Sequence, residues 1–431
     1  MFAAETLALA ILAAAAAPPV DHYEHSFALA TGGDVVATVR AGCAGCAWGE
    51  PGHEAAALRL SVDGVYSQHL LLARGEAPAD YRITLGTIAA GSHRLAIDRD
   101  AGLSAMQAGA ATIVVADIRV VGDRDEALAQ SMAPILYARA NTVGRFTALP
   151  IQMWYEVAPT PRGRRFRYSV IFTNEDGGTA TDRLMATWGR TTDIEFVYGV
   201  EIDASGRILA EEFQGPGHEV PAFHGRHEAR HPLLWVSTDN NMVSESGTSA
   251  IRYAPAPERF DLTNVSREAV MDRHPWSYAL ASEEMKREGK IADQGPGHNS
   301  IPDPRRFVYI EACGDVGDAA LAFAVQVRDT WIRSDRGVAQ YRIVRDGCFR
   351  AAIPLPAGAR ASDLHALRAM AYTRVPAEGQ PPVPPRAPVI LKRVNTAFML
   401  DDRYQPGPPL LRWQGTATVD ADGAPFDLPI R

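Results

Sequence analysis

Between about residue 20 and residue 122, apolar and polar positions alternate with period two, the signature of half-buried strands. The run AALRLSV sets Leu58, Leu60 and Val62 on one face. Asp63-Gly64 follows and VYSQHLLLARG resumes the alternation, a strong hairpin signal. YRITL, AAGSHRLAI and TIVVADIRVV repeat the pattern, so this stretch predicts a modest β-sandwich, jelly-roll or immunoglobulin-like. DRDEALAQSMA, residues 123 to 133, reads as a short helical connector. ILYAR, LPIQMWYEV, FRYSVIFTN, TDIEFVYGVEID and LLWVST come next, strand-sized runs rich in aromatic and β-branched residues. NVSREAVMDRHPWSYALASEEMKREGK predicts one clear helical stretch, interrupted at Pro275. RFVYIEA, LAFAVQV, AQYRIV, VILKRV and LLRWQGTATV then return to strands. ASDLHALRAMAY fits helix or strand, and residues 376 to 388 read as a polyproline-like surface loop. The class expected is mainly β and multi-domain: a sandwich over 20–122, a central β-rich domain with the candidate site over 130–300, and a β-rich domain over 301–431.

Composition speaks to compartment more than to chemistry. Apolar residues make up 46% and charged residues 22%, ordinary for a globular chain. A net charge of -8 gives no reason to expect nucleic acid or an anionic membrane as partner. In MFAAETLALAILAAAAAPPV the apolar run Leu7 to Ala17 is too short to span a bilayer. It reads as an export signal over residues 1–18, although Glu5 stands where a basic residue is usual; the alternative is a buried Ala-rich helix. Cys43 and Cys46, in C-A-G-C, and the distant Cys313 and Cys348 suit two structural disulfides in an oxidising compartment. The expectation is a periplasmic or secreted protein with no transmembrane segment in the mature chain. Oligomeric state is not readable from the pattern.

Three polar clusters are candidates for chemistry. In TTDIEFVYGVEID, Asp193 and Glu195 fall on one strand face, where two ionised carboxylates repel. A divalent cation (Ca, Mg or Zn), a basic partner or a raised pKa would relieve that repulsion, with Arg190 or Arg183 as counter-ion if the face is merely solvated. The segment HEVPAFHGRHEARHP gathers His218, His224, His227 and His231 with Arg226 and Arg230. Imidazoles suit a metal, whereas the arginines favour an anionic substrate group. After the strand carrying Trp235, Asp239, Asn240 and Asn241 read as turn formers or as side chains for sugar hydroxyls. There is no Gly-x-Ser-x-Gly elbow, His-Glu-x-x-His, phosphate-binding loop or dinucleotide fingerprint.

Two resemblances bear on these residues. The phrase IAAGSHRLAI looks like the penultimate strands of jelly-roll carbohydrate-binding modules. The order APILYAR, YSVIFTNED, TTDIEFVYGVEIDASG is similar to secreted necrosis-inducing-like proteins and Vps62-related domains, over about a fifth of the chain. There an aromatic strand precedes a strand bearing an Asp-x-Glu pair, and the acids with a histidine hold a divalent cation in a sandwich that binds glycosylated lipids. The resemblance implies Asp193 and Glu195 as that pair, with Asp176 or Asp182 as the upstream acid. Arg190 and Thr192 stand where that family has histidines.

The function expected is therefore glycan handling outside the cytoplasm. One form is a hydrolase or lyase with Asp193, Glu195 and His218 as catalytic groups, and with His224, Arg226, His227, His231, Trp235, Asp239, Asn240, Asn241 and His298 around the substrate. Alternatives are a non-catalytic glycan- or protein-binding envelope protein and a metal-dependent glycolipid binder. The pentapeptide QGPGH occurs at 214–218 and again at 294–298, which reads as turn chemistry used twice, or as two loops that bring His218 and His298 together.

Overall fold

The computed structural model describes residues 18–139, 146–376 and 385–430. The expected export signal and most of the proline-rich loop lie outside them. The fold is mainly β, 47% strand and 11% helix, in antiparallel sheets stacked as sandwiches.

The alternating N-terminal strands build two facing sheets. One runs His22–Leu29, Gly91–Asp100, Ala57–Val62, Val65–Leu71; the other runs Ala79–Ile88, Gly33–Cys43, Ala111–Val120. Asp63 and Gly64 turn the predicted hairpin with φ of 51° and 80°, the left-handed pair that a two-residue turn requires. Leu58, Leu60, Leu95, Ile97, Val35 and Val39 fill the space between the sheets. That core runs on into Leu149, Tyr253 and Leu280 from later in the chain, so this sandwich is welded to the central region.

In the centre, a five-stranded sheet (Ile208–Phe213, Asp193–Ile202, Gly163–Phe172, Pro150–Thr160, Glu258–Arg259) packs on short strands around His231–Val236 and Ile135–Tyr137. The helical connector is Arg124–Ser131, capped by Asp123, whose side chain accepts from the Asp125 and Glu126 amides. The predicted helical stretch is two helices, Ala269–Arg273 and Trp276–Arg287, split at His274-Pro275. An unforeseen helix, Thr181–Trp188, ends on Gly189 in the left-handed region (φ 60°). Its start, Ala180, gives no side-chain cap, which left it without the usual sequence signal.

The C-terminal sandwich pairs the sheet Gly347–Pro354, Phe307–Asp315, Val389–Phe398, Leu411–Val419 with the sheet Thr330–Arg333, Ala319–Val327, Leu364–Thr373, Phe426–Pro429. The ambiguous ASDLHALRAMAY is thus a strand, entered through a short 3₁₀ turn. AQYRIV is not the expected strand: Ala339–Tyr341 is a 3₁₀ turn and Ile343 makes a single bridge to Leu321. Cys43 pairs with Cys46 and Cys313 with Cys348, the second bond stapling directly opposed residues of neighbouring strands. Among the described residues no helix is long and apolar enough to cross a membrane.

Candidate functional site

Asp193 opens its strand just beyond the Gly189 cap, and Glu195 follows on the same face, opposite Phe172 and Val170 respectively. Both are buried, with 1% and 9% of their surface exposed. The loop after His231–Val236 brings Asn241 over them. Its amide donates to Asp193 Oδ2 at 2.9 Å and to the Asn174 carbonyl at 3.1 Å. Gln214, the first residue of QGPGH, donates to Glu195 and also reaches Met242 Sδ at 3.1 Å. Arg190 stands 3.7 Å from Asp193 Oδ1 while its Nε bonds Glu268 at 3.2 Å.

The two carboxyls lie two residues apart on one buried strand face, close enough for each to perturb the other's titration. Burial, then the charge of Asp193, pushes Glu195 up to about 8. Burial also raises Asp193, against the pull of Arg190. Glu175, which accepts from the Thr179 amide at 2.8 Å, is pushed up to about 7 by burial and by Asp193. Glycoside hydrolysis needs two carboxyls about 5 to 10 Å apart, with a glycosidic bond between them. Asn241 and Gln214 hold hydrogen-bonding positions on Asp193 and Glu195, and both carboxyls are buried. Neither Asp193 nor Glu195 lines the hollows described below.

The remaining expected residues do not gather around the pair. Asp176 and Asp239 share Arg139, at 2.7 and 2.5 Å. Asp182 accepts from the Tyr341 hydroxyl and the Gly297 amide, each at 2.8 Å, pinning the second QGPGH loop toward the C-terminal sandwich. The four acids expected to hold a cation are thus split among three places. Among the described residues no group of three or more His, Cys, Asp or Glu is placed to hold a metal ion. Of the histidines, only His218 comes near, its exposed ring 3.4 Å from Gln214 Nε2. The His224 amide donates to Glu245 at 2.5 Å, and His227 lies 2.7 Å from Glu211. His231 is buried, 2.9 Å from the Ala133 carbonyl and 3.6 Å from Asp34 of the N-terminal sandwich. His227 and His231 thus face different neighbours, while His218, His224 and Arg226 are exposed. Trp235 packs against Gly247, Asn240 accepts from Thr238 at 2.7 Å, and Asp239 pairs with Arg139. His298 is exposed, and no hydrogen bond joins it to His218 among the described residues.

The molecule's notable hollow is elsewhere. Where the N-terminal sandwich meets strand Pro150–Thr160 and the start of helix Trp276–Arg287, a cavity of about 300 Å³ is left. Leu71, Ile83, Leu149, Ile151 and Leu280 give it an apolar body. Gln152, Asp80, Arg74 and the His274–Glu258 pair (2.8 Å) add planar polar groups, and Trp276 supplies an indole face. Tyr253 also lines it, its buried hydroxyl without a hydrogen-bond partner among the described residues. A second hollow of about 470 Å³ shares Arg74, Asp80 and Trp276 and continues to Arg40, Glu283 and Gln405. The lining comes from segments far apart in the chain, so no local motif announced it. The only local trace is His274-Pro275-Trp276, the break in the helical stretch.

No family model matches the sequence, and no curated protein matches it. Two solved structures of a GH2 β-galacturonidase from Eisenbergiella tayi, bound to galacturonate and to glycerol, align over 47% of this chain and 28% of theirs. Their identities are 12% and 11%, with TM-scores of 0.16 and 0.15. A superposition that loose fixes neither fold nor chemistry.

Proposed function

We propose that the chain is an extracytoplasmic, non-catalytic saccharide-binding protein whose ligand occupies the cavity between the N-terminal sandwich and the central sheets. The observation that carries this reading is the lining: one indole, an apolar floor and several planar amide, carboxylate and guanidinium groups converge on one hollow. A sugar ring has that dual character, with apolar C–H faces for stacking and equatorial hydroxyls for bidentate polar partners. The volume sits at the lower end of ligand sites, about 300 to 1,000 Å³, and the adjoining hollow lengthens it for an oligosaccharide. Two disulfides and the N-terminal apolar run support a place outside the cytoplasm, periplasmic or secreted. The burial of Asp193 and Glu195 away from this hollow is what turns the reading from hydrolase to binder.

Trp276 is the group to remove. Trp276→Ala takes away the stacking face while leaving helix Trp276–Arg287 a good helix former at its first position. Titration calorimetry against oligosaccharides that bind the wild type is expected to show affinity reduced about tenfold or more. A folded variant with undiminished affinity would place the ligand elsewhere.

A further inference from the structure

Arg74 sits in the wall common to both hollows, half-buried, its guanidinium 4.5 Å from the centre of the Trp276 ring. One of its nitrogens donates to the Asp80 carbonyl at 3.2 Å, a neutral acceptor. The Asp80 carboxylate is turned to Arg40 at 3.1 Å, and the other acid of the first hollow, Glu258, is taken by His274 and Arg273. Glu283, in the second hollow, has its pKa raised by burial, and among the described residues it makes no ion pair with Arg74. Arg82, on the same strand as Asp80, stands 3.6 Å from Glu126. Among the described residues, then, Arg74 is the cation of this cavity that no carboxylate pairs.

Withdrawing a guanidinium from water without an anion is unfavourable, and burial lowers the pKa of Arg74 accordingly. Its free edge offers N–H donors in the fork that a carboxylate accepts two at a time. The net charge of -8 makes the molecule as a whole a poor attractor of anions, so acceptance of one here would be local and specific. We propose that the ligand is an acidic saccharide whose carboxylate is held by Arg74 while its ring lies against Trp276. This rests on the cavity being a saccharide site and adds the chemical class of the sugar.

The test is a matched pair of probes on the full-length protein: a linear tri-uronate and the same oligomer methyl-esterified, which keeps shape and removes charge. Calorimetry on the wild type should show the free acid bound about ten- to a hundredfold more tightly than the ester. The preference should weaken as salt is raised. Arg74→Gln should erase the preference, lowering affinity for the acid more than for the ester, and Arg74→Lys should retain part of it. Thermal unfolding of each variant, compared with wild type, separates lost recognition from lost packing over Trp276. Equal affinity of the wild type for acid and ester would overturn the assignment to Arg74 and leave the saccharide reading intact. Equal loss of both probes in a folded Arg74→Gln would also overturn it, reducing Arg74 to support for the indole. Binding of neither probe by the wild type would bring down the saccharide reading and this inference together.

Discussion

Replacing Arg350 with methionine is expected to lower the unfolding free energy by about 3 to 5 kcal/mol. Arg350 lies in strand Gly347–Pro354 with no exposed surface, and it reaches out of the C-terminal sandwich toward the helices of the centre. It pairs with Asp272 at 2.5 Å and with Glu311, donates to the Tyr278 hydroxyl at 2.5 Å and to the Glu268 carbonyl at 3.3 Å, and lies over Phe398. Gly189, the cap of helix Thr181–Trp188, is pressed against its stem so closely that a Cβ there would meet Arg350 Cγ at 2.6 Å. A buried ion network adds little over an apolar replacement of the whole set, but removing one member strands the others. Methionine fills much of the volume and leaves Glu311, 2% exposed, with a charge and no cation. Urea unfolding at pH 7 measures the loss. Adding Glu311→Gln to the same chain should recover part of it, because the stranded charge is then gone. A loss under about 1 kcal/mol would mean that water or protonation takes over the duty of Arg350.

The second large effect is a pH dependence with an unusual sign. A carboxyl whose folded pKa is raised binds its proton more tightly in the folded state than in the unfolded one. Its contribution to stability is fully present below the unfolded value, ordinarily about 4.5, and is lost as pH rises through the folded value. For Glu195, raised to about 8, that window runs from about pH 4.5 to 8. Each pKa unit corresponds to about 1.4 kcal/mol, so the loss across the window is on the order of 5 kcal/mol. Glu195→Gln keeps a donor toward Asp193 and an acceptor for Gln214 but has no proton to lose. The variant should match wild type within about 1 kcal/mol at pH 5 and exceed it by a few kcal/mol at pH 9. Unfolding midpoints between pH 5 and 9 read this directly. Parallel curves for the two proteins would mean that Glu195 is ionised throughout.

These effects show which parts of the fold could be read from the chain. Strand positions came through wherever one face is buried, as at Leu58, Leu60 and Val62, because alternation is set by local geometry. The Asp63-Gly64 turn came through because its backbone angles demand those residues. The same-face placement of Asp193 and Glu195 was legible for the same period-two reason. Their closure by Asn241 and Gln214 was not, since those residues arrive from elsewhere in the chain. Histidine density misled: His227 and His231 serve Glu211 and the Ala133 carbonyl in different surroundings, which sequence proximity cannot foretell. The cavity was illegible in principle, because Arg74, Gln152, Tyr253 and Trp276 meet only when the N-terminal sandwich docks on the central sheets. QGPGH is turn chemistry in both copies, with Gly217 at φ 75° and Gly297 at φ 94°, and the two turns are anchored to different acids, Glu195 and Asp182.

A crystal structure of the full-length protein soaked with the tri-uronate tests the central claim most directly. Saccharide is expected in the hollow beside Trp276, its carboxylate within hydrogen-bond distance of Arg74. Saccharide seated over Asp193 and Glu195, with the cavity beside Trp276 left free of it, would contradict that claim.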